Sequence, residues 1–156
     1  MLTATDPRTR EAATTLPVYG QLPFVPQSAT GCEITTDDGR HILDLYGGHA
    51  VAALGYGHPA LERAISEQSR TLLFQSNAVA LDIRAQAAEK LLAHAPESLA
   101  RVFFVNSGAE ANENALRMAC VATGRDKVLA IEHGFHGRTA AAAAVAWNSD
   151  CLLYTS

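Results

Sequence analysis

The sequence has little cysteine: Cys32, Cys120 and Cys151 form an odd, widely spaced set in 156 residues. That spacing supports neither a disulfide framework nor a zinc site. A basic excess is also missing. The net charge is -4, which gives no support for a nucleic-acid partner, because phosphate backbones are held by clustered lysine and arginine. No apolar run approaches the length needed to cross a bilayer. Residues 1–20 contain Thr, Asp, Arg and Glu without an apolar stretch, so they do not read as a secretory signal. Neither G-x-x-x-x-G-K-[ST] nor G-x-G-x-x-G occurs, which removes both common nucleotide-binding loops. A cytoplasmic protein is the expectation these absences leave.

What is present suits a globular chain: 48% hydrophobic and 18% charged residues, at a length for one domain. The first fifteen residues are polar and read as a flexible arm. Pro17, Pro23 and Pro26 make 16–26 an extended segment. Short strand-like runs at 32–35 and 41–45 flank Asp37-Asp38-Gly39, which predicts a β-hairpin. Gly47, Gly48, Gly55 and Gly57 then mark a loop ending at His58-Pro59. Pro59 suits the first turn of a helix, followed by Leu61, Ala64, Ile65 and Leu72 at helical spacing. A second helix is predicted over 81–95, ended by Pro96.

Beyond it the pattern changes. Val102-Phe103-Phe104-Val105 is a short apolar run, a helical stripe follows from Ala111 to Ala122, and Gly124 reads as its C-cap. Val128-Leu129-Ala130-Ile131 is a second apolar run, followed by a Gly/His loop and an alanine-rich stretch at 140–146. Strand, helix, strand predicts a parallel βαβ unit. A parallel sheet buried on both faces needs more strands and helices than these, so the domain reads as incomplete.

The chemistry concentrates at Asn106-Ser107-Gly108-Ala109-Glu110, where an apolar run gives way to a helix. Amides in a helix's first turn lack intrahelical partners, and the macrodipole adds partial positive charge. A phosphate there can take bonds from the Gly108 and Ala109 amides and from the Ser107 hydroxyl. Ser107 and Glu110 also have the spacing of a capping box, which satisfies orphan donors with no ligand. On chemistry alone both readings stand open. His133 and His136 share a glycine-rich loop without a third ligand, so no metal site is expected.

Asn106-Ser107-Gly108-Ala109-Glu110-Ala111-Asn112-Glu113, followed by Phe135-His136-Gly137-Arg138-Thr139, resembles the paired signature of the class III aminotransferases. It is most similar to the acetylornithine and succinylornithine branch. Asp38-Gly39-Arg40, Leu43-Asp44-Leu45, Gly47-Gly48-His49-Ala50-Val51, Leu54-Gly55-Tyr56-Gly57-His58-Pro59 and Ser76-Asn77 extend the resemblance upstream, over about 16–147. It implies an α/β fold: an N-terminal arm and β-hairpin, two helices, then the start of the mostly parallel sheet of a fold-type I large domain. The corresponding boundaries are 1–58 for the arm, hairpin and loop, and 59–147 for the helical segment and the beginning of the cofactor-binding domain.

The implied cofactor is pyridoxal 5'-phosphate. Ser107, Gly108 and Ala109 would hold its phosphate, with Ala109 offering only its N–H where many relatives have Thr. Phe135 would stack on the ring, His136 would lie beside it, and Val51 and Asn77 would face the substrate. The implied reaction, in arginine biosynthesis, moves the ω-amino group of N-acetylornithine or a similar acylated ornithine to 2-oxoglutarate. Ornithine and 4-aminobutyrate aminotransferases and an aminomutase are the alternatives within the class, and the whole enzyme is expected to be a homodimer. From another class, a non-catalytic phosphate-binding α/β module, complete as written, remains a rival.

No catalytic residue is assigned. Family members form a Schiff base through a lysine, and the two lysines here do not fit that role. Lys90 lies on a solvated helix face, and Lys127 opens the second apolar run, away from the strand ends where α/β sheets bind ligands. The family's aspartate at the pyridine nitrogen, its substrate-carboxylate arginine and the partner-subunit threonine at the phosphate are expected in later sequence. The final Cys151-Leu152-Leu153-Tyr154-Thr155-Ser156 matches the in-frame translation of TGTCTCTTATACACATCT, part of a transposon mosaic-end adapter. Residues 151–156 are therefore expected to be adapter-derived, within a non-native tail at 148–156.

Overall fold

The computed structural model describes residues 6–147; the expected non-native tail at 148–156 lies outside them. Two compact units divide between Val79 and Ala80. The helix that starts at Pro59 lies in the first of these units, with the hairpin.

The first unit opens with a correction. The expected flexible arm contains a helix, α1 (Pro7–Thr14). Asp6 caps it by accepting the Arg8 amide at 2.8 Å, and its carboxylate also holds the Arg8 guanidinium. Pro7 supplies a helical φ at the first position, where its missing N–H costs nothing. No residue of α1 is buried, so capping and local bonds hold this helix rather than packing.

Three antiparallel strands follow in the order β1 (Pro26–Thr30), β2 (Glu33–Thr36) and β3 (His41–Leu43). The predicted hairpin is β2–β3, with Thr35 opposite His41 and Glu33 opposite Leu43. Its turn is held by Thr36, whose side chain is fully buried. The Thr36 hydroxyl donates to Asp38 and accepts the Arg40 amide at 2.9 Å, while the Arg40 guanidinium salt-bridges Asp38 at 2.8 Å. That guanidinium, with the Thr36 hydroxyl, lowers the Asp38 pKa to about 2. Strand β1 was expected only as part of an extended segment. Its Pro-Gln-Ser-Ala-Thr sequence has no apolar alternation, and it joins β2 through backbone bonds, with a register shift between Pro26 and Ser28.

The glycine loop is more ordered than its composition suggests. Gly31 and Tyr56 exchange backbone bonds of 2.9 and 2.8 Å, which tie the loop to the sheet. Gly55 passes so close that a Cβ there would lie 2.7 Å from the Gly31 carbonyl oxygen. Within the loop, Gly47–Ala50 (α2) is a single turn whose four residues all have φ between 57° and 61°. Helix α3 (Pro59–Thr71) then starts at Pro59 as predicted.

The second unit begins with α4 (Asp82–Leu92), which stops at Leu92 although Pro96 had marked the expected end. Ala93 is its C-cap, and the amides of His94 and Ala95 turn back to the Leu91 and Leu92 carbonyls. Helix α5 (Gly108–Thr123) is capped by Ser107 and ends at Gly124 in a left-handed conformation, as expected. Helix α6 (Ala140–Ala144) packs on α5 and buries Ala142 and Ala143.

The predicted strands at 102–105 and 128–131 are not formed as strands. Neither run belongs to a ladder among the described residues. Hydropathy marks a segment that needs covering, but a strand exists only when a neighbour supplies its hydrogen bonds. Leu129 is 100% exposed and Ile131 80%, so the apolar side chains of the second run lack that cover. Leu45, Leu73, Phe74 and Val121 are also exposed.

Candidate functional site

The candidate site lies in the second unit, at the start of α5. Ser107 is extended, with φ −150° and ψ 160°, and its Oγ accepts the Glu110 amide at 3.1 Å. The Glu110 carboxylate reaches back to the Asn106 amide at 2.6 Å, one residue earlier than in the usual capping box. The first backbone bond of the helix runs from the Ala111 amide to the Ser107 carbonyl, 3.0 Å. The amides of Gly108 and Ala109 precede that bond, and the cap does not use them.

Capping and anion binding are therefore compatible. A hydroxyl that accepts one bond keeps its proton to donate, so Ser107 can cap α5 and still face an anion. Space allows it too, since a Cβ built on Gly108 would meet nothing within 4 Å.

The loop at 135–139 is held against the start of α5. Gly137 packs on Ala109 so tightly that a Cβ there would lie 2.5 Å from the Ala109 Cβ. Asn112 Nδ2 donates to the His136 carbonyl at 2.6 Å. Glu113 Oε2 accepts the Thr139 hydroxyl at 2.7 Å and the amides of Ala141 and Ala142 at 2.9 and 3.1 Å. These bonds, led by that of Thr139, hold the Glu113 carboxyl below the usual carboxylate range. Phe135 is 57% exposed. The Arg138 guanidinium carbon lies 5.6 Å from its ring centroid, a cation–π contact.

His136 is half-buried, and it lines one end of an open cleft of about 400 Å³ between α5 and 128–131. Leu116, Ala119, Leu129 and Ile131 make most of that cleft aliphatic, so it is not the anion cradle. His133 faces elsewhere, its ring 4.1 Å from that of Trp147. Among the described residues, no three His, Cys, Asp or Glu side chains gather as a metal site.

Ser107, Gly108, Ala109, Phe135 and His136 are thus assembled in one unit. Val51 and Asn77 belong to the other. Val51 follows the Gly47–Ala50 turn and is 83% exposed, and Asn77 is exposed in the turn after Ser76. Lys90 is exposed on α4, and Lys127 is exposed just before the run at 128–131. Sequence reasoning gave no role to Asn112, Glu113, Gly137 or Arg138. The signal for the first two was their i+3 and i+4 spacing from Ala109.

The class III aminotransferase family model matches residues 16–153. The chain belongs to the class III aminotransferases. The acetylornithine aminotransferase of Methanopyrus kandleri is 39% identical over 132 residues, covering 85% of this chain and 34% of that enzyme. The acetylornithine aminotransferase of Mycobacterium tuberculosis is 43% identical over 133 residues, covering 85% of this chain and 33% of its own. The chain therefore spans about a third of the length of these class III relatives. Among solved structures, the taurine:2-oxoglutarate aminotransferase of Bifidobacterium kashiwanohense, in complex with PLP and glutamate, superposes with a TM-score of 0.83 at 27% identity. That match covers 91% of this chain and 33% of the other. The α/β architecture is thus that of the fold-type I transaminases, a class III family whose cofactor is pyridoxal phosphate. Its parallel sheet is not built among the residues described.

Proposed function

We propose that this chain carries part of the active site of a cytoplasmic, homodimeric aminotransferase. The whole enzyme moves the ω-amino group of N-acetylornithine, or a similar acylated ornithine, to 2-oxoglutarate. The acetylornithine aminotransferases among its relatives support that donor. The observation that supports the reading is the seating of Gly137 on Ala109, which holds the loop that follows Phe135 against the start of α5. The exposed apolar runs support a part of a larger domain over a complete phosphate-binding module.

Pyridoxal phosphate, when bound, supplies the electron sink of the reaction. The chain's own residues bind and orient. Ser107 would donate a hydrogen bond from its hydroxyl to a phosphate oxygen, and the amides of Gly108 and Ala109 would donate to the same group. Phe135 offers one face to the heteroaromatic ring, and His136 shapes the ring's surroundings. Val51 and Asn77 are assigned to the substrate side. No lysine in the chain is assigned the proton transfer.

Titration of the chain with inorganic phosphate should shift the amide resonances of Gly108 and Ala109. Ser107→Gly preserves the capping preference but removes the donor, and it should weaken phosphate binding by about tenfold. Unmoved resonances at both positions would overturn the cradle. Borohydride reduction with pyridoxal phosphate should leave no stoichiometric label on Lys90 or Lys127. A full label on either lysine would contradict the assignment.

A further inference from the structure

Helix α5 presents Ala109, Asn112 and Glu113 on one face, at i, i+3 and i+4. Each makes a different contact with the same downstream segment. Ala109 receives Gly137, Asn112 binds the His136 carbonyl at 2.6 Å, and Glu113 binds Thr139, Ala141 and Ala142 through one oxygen. Thr139 is the N-cap residue of α6, yet its side chain makes no capping bond. Its hydroxyl goes to Glu113, and Glu113 takes over the capping of α6 from a neighbouring helix. The carboxylate is suited to this work, because it accepts several N–H and O–H bonds at once.

We propose that Asn112 and Glu113 are positioning residues that fix the Phe135 platform relative to the Ser107–Gly108–Ala109 cradle. Both ends of the site then hang from α5: its first turn meets the phosphate, and its second turn holds the loop that carries the ring platform. The inference rests on the cofactor reading above. It adds that the spacing between ring and phosphate is set by one helix rather than by the loop.

The test compares two probes on the full chain, inorganic phosphate and pyridoxine 5'-phosphate. The second carries ring and phosphate but no aldehyde. In the unaltered chain pyridoxine 5'-phosphate should bind more tightly than phosphate. Asn112→Asp, which keeps the shape but loses the donor to His136, should reduce that preference by about tenfold with phosphate affinity unchanged. Glu113→Ala should do the same and also speed hydrogen exchange at the Ala141 and Ala142 amides. Glu113→Gln keeps an acceptor oxygen and should recover part of the preference.

A preference retained in both Asn112→Asp and Glu113→Ala would overturn the positioning role. So would a parallel loss of both probes, which is the mark of general unfolding. Failure of the unaltered chain to bind either probe would overturn the cofactor reading, and the positioning role with it. Unchanged α5 exchange in Asn112→Asp shows that the helix itself has survived the substitution.

Discussion

Gly137→Ala is expected to dislodge the loop at 134–139 from α5 and to abolish the preference for a ring-bearing phosphate. The added Cβ would sit 2.5 Å from the Ala109 Cβ and 2.8 Å from its Cα, far inside the distance of a normal carbon contact. The neighbours have little freedom to yield, since one is the backbone of a helix and another is the Ala142 Cβ at 3.2 Å. The backbone adds a second penalty, because Gly137 has φ +131°, a region that side chains rarely adopt. Overpacking and strain together should cost about 3 kcal/mol. Hydrogen exchange at α6 should then accelerate by roughly a hundredfold. The double variant Ala109→Gly/Gly137→Ala removes the closest of these contacts and should recover part of the loss. Full exchange protection in Gly137→Ala alone would show that α5 and the loop are not closely packed in solution.

Asp44→Ala is expected to release the turn at Gly47–Ala50. Four successive residues there have left-handed φ, which His49 and Ala50 adopt only at a cost of about 1–2 kcal/mol each. Asp44 offsets that cost by accepting three bonds: from the Tyr46 amide at 2.8 Å, the Gly47 amide at 2.9 Å and the Tyr56 hydroxyl at 2.6 Å. The Tyr46 ring also lies 4.8 Å from the His49 ring. Without the carboxylate, exchange at the Tyr46 and Gly47 amides should rise by at least about tenfold. Tyr56→Phe removes only one of the three bonds and should do less.

The same group gives a pH dependence of known sign. The Tyr56 hydroxyl, then the Gly47 and Tyr46 amides, lower the Asp44 pKa. Its contribution is complete above the ordinary carboxylate range and is lost as pH falls through the lowered value, below about 4. Asp44 raises the Tyr56 pKa, so the tyrosine's contribution is complete below about 10 and is lost as pH rises through the raised value. Protection of the turn should therefore be flat between those limits and fall at both ends. A Tyr46 and Gly47 exchange profile with no acid limb, after correction for intrinsic rates, would show that Asp44 does not hold the turn.

Local chemistry made much of the fold legible. Asp37-Asp38-Gly39 named the hairpin, Pro59 and Ser107 the starts of α3 and α5, and Gly124 the end of α5. Each acts through the backbone of its own few residues, so no distant partner was needed. Helix α1 escaped because its cap, Asp6-Pro7, precedes a polar stretch with no apolar stripe. Strand β1 escaped because backbone pairing to β2 leaves no mark on side-chain pattern. The runs at 102–105 and 128–131 were misread in the opposite sense, since hydropathy records a need for burial and cannot supply a ladder.

In the candidate site, the sequence by itself determined the capped start of α5, with its free amides and a serine able to cap and donate at once. It also determined the family, because the order and spacing of several motifs carry that information together. Only the tertiary structure decided that capping leaves the Gly108 and Ala109 amides and the Ser107 proton unused, since this depends on which atoms Ser107 already satisfies. The same holds for the seating of Gly137 on Ala109 and for the roles of Asn112 and Glu113. Those contacts join residues 24 to 29 positions apart, and no local propensity specifies which side chain meets which loop.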